Sequence, residues 1–182
     1  MALSLFMYQF NLKYIKMKNL ILTITTLLLT ITISAQTVVD AAVSNKDFST
    51  LVTALKAADL VGALSGEGPF TVFAPNNDAF AKIDSDTLAD LLKPENVKVL
   101  SNILTYHVVS GKLMASDITK ALKNGYGKTS LTALNGQKFV ASSKGDKIFL
   151  KDKDGNMSEV IATDVIGTNG VIHVIDSVIM PE

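Results

Sequence analysis

The sequence predicts an α+β domain. Apolar residues recur at helical spacing through much of the stretch from residue 37 to residue 107. After Ser110-Gly111 the texture changes, and beyond one last helix come short runs separated by Asn-Gly and Asp-Gly turns. The chain has 182 residues and no cysteine, so a packed core and not a disulfide framework must hold it together.

The N-terminal stretch stands apart from this pattern. Lys13, Lys16 and Lys18 precede an apolar run from Leu20 to Ile33, and no acidic residue occurs before Asp40. A basic start, an apolar centre and the small residues Ser34-Ala35 have the form of a secretory signal peptide, with cleavage expected after Ala35. The run is short and threonine-rich for a membrane span, which leaves an uncleaved anchor as the weaker alternative. Met17-Lys18-Asn19-Leu20 makes a compact signal on its own, so residues 1–16 are a candidate misannotated upstream start. The expected organisation is a signal peptide over 1–35 and one domain over 36–182, long enough for a hydrophobic core. The compact signal and the lack of cysteine point to a bacterial chain.

Three of the 17 lysines lie ahead of Gln36, all 17 acidic residues follow it, and arginine is absent, so the mature chain carries a formal charge of −3. That balance, without a lysine cluster, argues against nucleic-acid binding. No basic amphipathic stretch marks the mature domain for membrane insertion.

The elements follow in order. Thr37 to Val43 reads as a short helix. Asn45 or Asp47 can cap a stronger one, in which Phe48, Leu51, Val52, Leu55 and Ala58 form one buried stripe. Asp59 to Leu64 adds a turn before the loop Ser65-Gly66-Glu67-Gly68-Pro69. Phe70 to Ala74 is a buried strand between prolines, and Asn76 or Asn77 can cap a helix after it. Thr87 to Leu92 is a further short helix. Pro94 and Glu95 suit the first turn of the next, where Leu100, Ile103, Leu104 and His107 share a face. Ser116-Asp117 opens a last helix that ends at Asn124-Gly125. Strands are expected over Lys138 to Ala141, Lys147 to Lys151, Glu159 to Thr163 and Val171 to Ile175, with turns at residues 135–136, 144–146, 154–156 and 168–170.

The chemical inventory is thin. His107 and His173 are the only histidines. The nucleophile elbow G-x-S-x-G is missing, since Gly62-Ala63-Leu64-Ser65-Gly66 places its serine one position late. The histidines lack the spacing of a helical metal pair, and there is no cysteine to join them. Asp152-Lys153-Asp154-Gly155-Asn156 resembles a calcium-loop fragment but has its glycine at the fourth place, so a hairpin tip is expected. Asn156-Met157-Ser158 fits a glycosylation sequon. No catalytic residue, metal or cofactor is expected. His107 reads as a core histidine hydrogen-bonded to a carboxylate or carbonyl. His173 shares a strand face with Val171 and Ile175.

Three segments together resemble the fasciclin-type domain. Phe70-Thr71-Val72-Phe73-Ala74-Pro75-Asn76-Asn77-Asp78-Ala79-Phe80 looks like that family's first signature. Tyr106-His107 looks like its central pair. Asn169-Gly170-Val171-Ile172-His173-Val174-Ile175-Asp176 looks like its second signature. The resemblance covers Thr37 to Pro181. It implies a helical layer packed on a β-wedge of short, mostly antiparallel strands, and a role in adhesion or extracellular-matrix interaction. Within it, Thr71, Asp78, His107, Asn169, Gly170, His173 and Asp176 are read as structural, with Asp78 or Thr71 expected to bond His107. Asn169-Gly170 is expected to supply a positive-φ turn. Animal members carry an adhesion segment ahead of the second signature, and Asp164-Val165-Ile166 matches its position. These three residues and Tyr106 are the interaction candidates, with the alternative that Asp164 serves the fold. The expected function is a secreted or periplasmic adhesion or protein-interaction module, not an enzyme, whose partner is an extracellular or cell-surface protein or glycan. The alternative is an extracytoplasmic binding protein for a small apolar or glycan ligand.

Overall fold

The computed structural model describes residues 36–182, and the signal segment expected over residues 1–35 lies outside them. Thr37 opens helix α1 (Val38–Ser44): its hydroxyl accepts the Asp40 N–H at 3.2 Å, and the Asp40 carboxylate accepts the Thr37 N–H at 2.9 Å. Asn45 caps a 3₁₀ turn (Lys46–Phe48) that leads into α2 (Ser49–Ala57). α2 has no cap of its own. Asn77 supplies one from across the helical layer, its Oδ1 accepting from the Thr50 N–H at 3.1 Å and the Ser49 hydroxyl at 3.2 Å. After α3 (Val61–Ser65) comes strand β1 (Phe70–Pro75) and then α4 (Asn77–Ala81), capped by Asn76 through the Ala79 N–H at 2.8 Å. Asp84 caps α5 (Ser85–Leu91), and Pro94 opens a 3₁₀ turn (Pro94–Asn96) ahead of α6 (Val97–Tyr106).

The remaining elements are β2 (Val108–Ser110), α7 (Ala115–Asn124), β3 (Lys128–Thr132), β4 (Lys138–Lys144), β5 (Lys147–Lys151), β6 (Met157–Gly167) and β7 (Gly170–Ile175). The sheet order is β2-β1-β7-β6-β5-β4-β3. Among the described strands only β1 and β7 pair in parallel, Phe70 opposite Gly170 through Pro75 opposite Ile175. An isolated bridge between Val109 and Ala133 ties β2 back to the chain just after β3, so the two ends of the strand order meet. Sequence reasoning missed β2 and β3. β2 has three residues, and β3 is a polar strand at the far end of the sheet order, so neither carries an apolar run.

Two apolar cores flank the central strands. One joins Val38, Phe48, Leu51, Leu55, Phe80, Leu100 and Leu104 of the helical layer to Ile172 of β7. The other joins Phe73, Tyr106, Leu122, Phe139, Leu150, Ile175 and Ile179. In the second core Phe73 and Tyr106 each meet Phe139 edge-on, with centroids 5.6 and 5.5 Å away. Phe73 and Phe80 therefore anchor different cores, and the turn between them sets one against the other.

Candidate functional site

The second-signature strand carries the main polar cluster. β1, β6 and β7 each send one polar side chain to the loop between β2 and α7. Thr71 donates its hydroxyl to the Gly111 carbonyl at 2.6 Å and accepts the Leu113 N–H at 2.9 Å. His173 Nε2 bonds the Leu113 carbonyl at 2.8 Å, and its Nδ1 accepts the Asp164 N–H at 3.3 Å. These partners fix His173 as the neutral Nε2–H tautomer. Asp164 Oδ1 in turn accepts the Ala115 N–H at 2.9 Å, in the first turn of α7. Thr71 and His173 are both fully buried. The Gly111–Ala115 segment is thus clamped from three strands, and each polar group in the clamp has a backbone partner.

Asp164 lies within β6, which runs against β7 with two register shifts, one between Val160 and Ala162 and one between Ala162 and Val165. Asp164 adopts φ 60, a conformation that aspartate tolerates better than most residues. The bulges break simple alternation along the strand. Val165 and Ile166 are consecutive, yet both are exposed, at 40% and 61%, and Ile161 on the same strand is 49% exposed. A regular strand turns consecutive side chains to opposite faces. The structure therefore gives Asp164 a part in the fold, while its two neighbours provide apolar surface.

His107 sits at the end of α6. Its Nδ1 bonds the Ile103 carbonyl at 2.8 Å, and Nε2 accepts the Ile179 N–H at 3.1 Å. The ring is buried, and burial pushes its pKa down to about 4, with the Ile103 hydrogen bond only partly opposing the shift. The expected pairing with Asp78 or Thr71 needs correction. Thr71 spends its hydroxyl on the Gly111–Leu113 loop, and Asp78 is exposed in the first turn of α4. A carbonyl one helical turn back, on the same helix, had first claim on the ring. Tyr106 also needs correction as an interaction candidate. It is fully buried against Phe139, with its hydroxyl donating to the Lys138 carbonyl at 3.1 Å, so it presents no surface to a partner.

The other signature residues join segments. Asn169 Oδ1 accepts the Val38 N–H at 2.9 Å, and its Nδ2 donates to the Leu64 and Gly66 carbonyls at 2.8 and 2.9 Å. Gly170 does not have the positive φ expected of it. Glycine is needed there because a Cβ would run into the Phe70 carbonyl, across the parallel β1–β7 pair. Asp176 accepts the Glu159 N–H at 2.8 Å and the Lys82 ammonium at 3.1 Å. Burial raises its pKa, but those hydrogen bonds outweigh burial and hold the carboxylate below its ordinary value. Asp152 is buried at the β5–β6 tip and accepts the Asn156 N–H at 2.8 Å and the Met180 N–H at 3.3 Å. Its role is that of a turn residue.

This arrangement can present surface. Both histidines have two partners each, and among the described residues neither is bonded to a hydroxyl or a carboxylate oxygen. Among the described residues no group of three or more histidine, cysteine, aspartate or glutamate side chains could hold a metal ion. No helix among them is long and apolar enough to cross a membrane. Sequence reasoning missed the loop Gly111–Ala115 as the common partner of Thr71, His173 and Asp164. Its contribution is backbone carbonyl and amide, which leave no side-chain signal.

A family model described as the fasciclin domain matches residues 46–181. Protein sll1483 of Synechocystis sp. is 51% identical over 152 residues, 81% of this chain and 75% of that protein. Immunogenic protein MPB70 of Mycobacterium bovis is 33% identical over 146 residues, 78% of this chain and 67% of its own. Transforming growth factor-beta-induced protein ig-h3 of Sus scrofa is 36% identical over 145 residues, 80% of this chain but 19% of ig-h3. Among solved structures, a FAS1 domain pair from the insect cell adhesion molecule fasciclin I matches with a TM-score of 0.70 at 21% identity, covering 81% of this chain and 51% of that one. That likeness extends to the fold.

Proposed function

The chain belongs to the fasciclin domain family, and from that premise we propose that it is an exported recognition module that binds a partner protein by surface contact, without reaction chemistry. The observation that carries this reading is the division of labour on β6. Asp164 is spent on the Ala115 N–H, while Val165 and Ile166 lie exposed beside it. Side chains of this size, grouped on one strand and outside the core, form the apolar centre that a protein interface needs. The doubly bonded rings of His107 and His173 also favour binding over acid–base work, because neither has a lone pair left to take a proton from a substrate. Export rests on the lysine-led apolar run ending at Ala35, with residues 36–182 as the mature domain. The insect protein of like fold is a cell adhesion molecule, which makes attachment to cells or to their matrix the first activity to assay.

The test coats a surface with the purified protein and counts attached cells, for the parent and for a Val165→Ser, Ile166→Ser double variant. The expected result is lost attachment with an unchanged denaturation midpoint. Undiminished attachment by the double variant would place recognition elsewhere. N-terminal sequencing of protein recovered outside the cytoplasm should begin at Gln36, and recovery of residues 20–33 in a membrane fraction would defeat export by cleavage.

A further inference from the structure

A second surface lies away from the β6 bulge. Helix α7 and the β4–β5 hairpin enclose an open cleft of about 420 Å³, within the size range of small-ligand sites. Leu122 and Ile148 give it an apolar base, and Thr119, Lys123, Ser143, Asp146 and Lys147 bring polar groups to its walls. Lys147 is paired with Glu159 at 2.7 Å. Lys123, the Ser143 hydroxyl and the Asp146 carboxylate make no hydrogen bond or ion pair among the described residues. Lys123 and Asp146 oppose one another in sign, and Glu159 offsets Lys147, so the cleft as a whole is close to neutral.

Gly127 lines the cleft, and the residue before it is Tyr126. The loop is held from both sides: the Gly127 N–H donates to the Leu122 carbonyl at 2.7 Å, and the Gly127 carbonyl accepts the Ser143 N–H at 3.0 Å. Tyr126 has φ 53 and is 100% exposed. Positive φ is costly for a bulky side chain, and glycine would be easier there. The fold gains no packing from this ring. Its two neighbours, Gly125 and Gly127, are the residue type the local backbone favours. A strained, fully exposed aromatic residue beside a polar cleft is a cost that stability does not explain.

We propose that the cleft between α7 and the β4–β5 hairpin, whose lining residue Gly127 directly follows the exposed Tyr126, binds a neutral saccharide unit. A sugar ring offers a face of C–H groups to an aromatic ring and a border of hydroxyls that both donate and accept. The ring of Tyr126 suits the first. Lys123 as donor, Asp146 as acceptor and Ser143 as both suit the second. The near-neutral wall favours an uncharged ligand over a phosphate or sulfate, which would meet Asp146 and find Lys147 already paired.

The test records backbone amide shifts of the purified protein during titration with cellotetraose, mannotetraose and maltotetraose. Inorganic phosphate and a sulfated tetrasaccharide serve as anionic probes. At least one neutral tetrasaccharide, at up to about 10 mM, should move the amides of Lys123, Gly127, Ser143 and Asp146. Tyr126→Gly should weaken that binding about tenfold or more, with the unfolding midpoint equal to or above the parent's. Three outcomes overturn the proposal: no cleft amide moves with any neutral tetrasaccharide, only the anionic probes move them, or Tyr126→Gly binds as the parent does. Attachment through Val165 and Ile166 is read in a separate assay, so either result can fail without the other.

Discussion

The clamp on the Gly111–Ala115 loop and the cleft beside Tyr126 are both polar regions where the sheet meets the chain around α7, and they use their polar groups in opposite ways. In the clamp, Thr71, His173 and Asp164 come from three strands and all bond backbone groups of one loop. In the cleft, Lys123, Ser143 and Asp146 face solvent without a partner among the described residues. A buried polar group left unpaired costs about 1–3 kcal/mol, so each bond the clamp loses lowers stability. The cleft is under no such demand. Polar residues that a family signature picks out are therefore poor guides to where a partner binds here, since the fold already occupies them.

Substitutions can sharpen that contrast. The largest effect is expected at His107, which belongs with the clamp in kind. His107→Ala removes a buried ring and strands both the Ile103 carbonyl and the Ile179 N–H, at a cost of roughly 2–4 kcal/mol in denaturant unfolding. His107→Phe fills the space but pairs neither group, so it should recover only part of the loss.

Stability should also depend on pH through the same ring. The folded-state pKa is about 4 against an ordinary 6.5, so below pH 6.5 the unfolded chain takes up the proton first. Stability supplied by the neutral ring is complete above pH 6.5 and is lost as pH falls toward 4, by up to about 3 kcal/mol. Asp40, Asp84 and Asp176 have lowered pKa values and lose their contributions below their ordinary 3.8, in a separate window. Unfolding curves between pH 4 and 7 check this, and His107→Phe should flatten that part of the profile.

Much of this structure was legible in the sequence because the same physical demands set both. The Asn76 cap, the Phe48–Leu55 stripe and the turns at Gly136, Gly145 and Gly155 all follow from local backbone needs. So does the burial of His107 on the face of Leu100, Ile103 and Leu104. What was not legible depends on long-range geometry. Nothing in the residues around Asp164 announces two bulges or the distant Ala115 N–H that it reaches. Tyr106 stood among the interaction candidates, but the carbonyl that takes its hydroxyl belongs to Lys138, far along the chain. The Tyr126 cleft joins a helix end to a hairpin, and exposed positions follow no periodicity that could flag it.

At the small end of the scale, Tyr126→Gly should change stability by no more than about 1 kcal/mol, and in the direction of greater stability. A thermal melt decides this. A clear loss would mean that the ring supports the fold after all.

The most direct measurement compares Asp164→Ala with Ile166→Ser, two residues of one strand to which the proposed function gives different tasks. Unfolding free energy and cell attachment per folded molecule are measured for both. Asp164→Ala should lose about 1–2 kcal/mol, having given up its bond to Ala115 and a residue suited to φ 60, yet keep its attachment. Ile166→Ser should keep its stability and lose attachment. If Asp164→Ala instead unfolds like the parent and fails to attach, the aspartate belongs to the partner and not to the fold, and the division between spent and available groups is wrong.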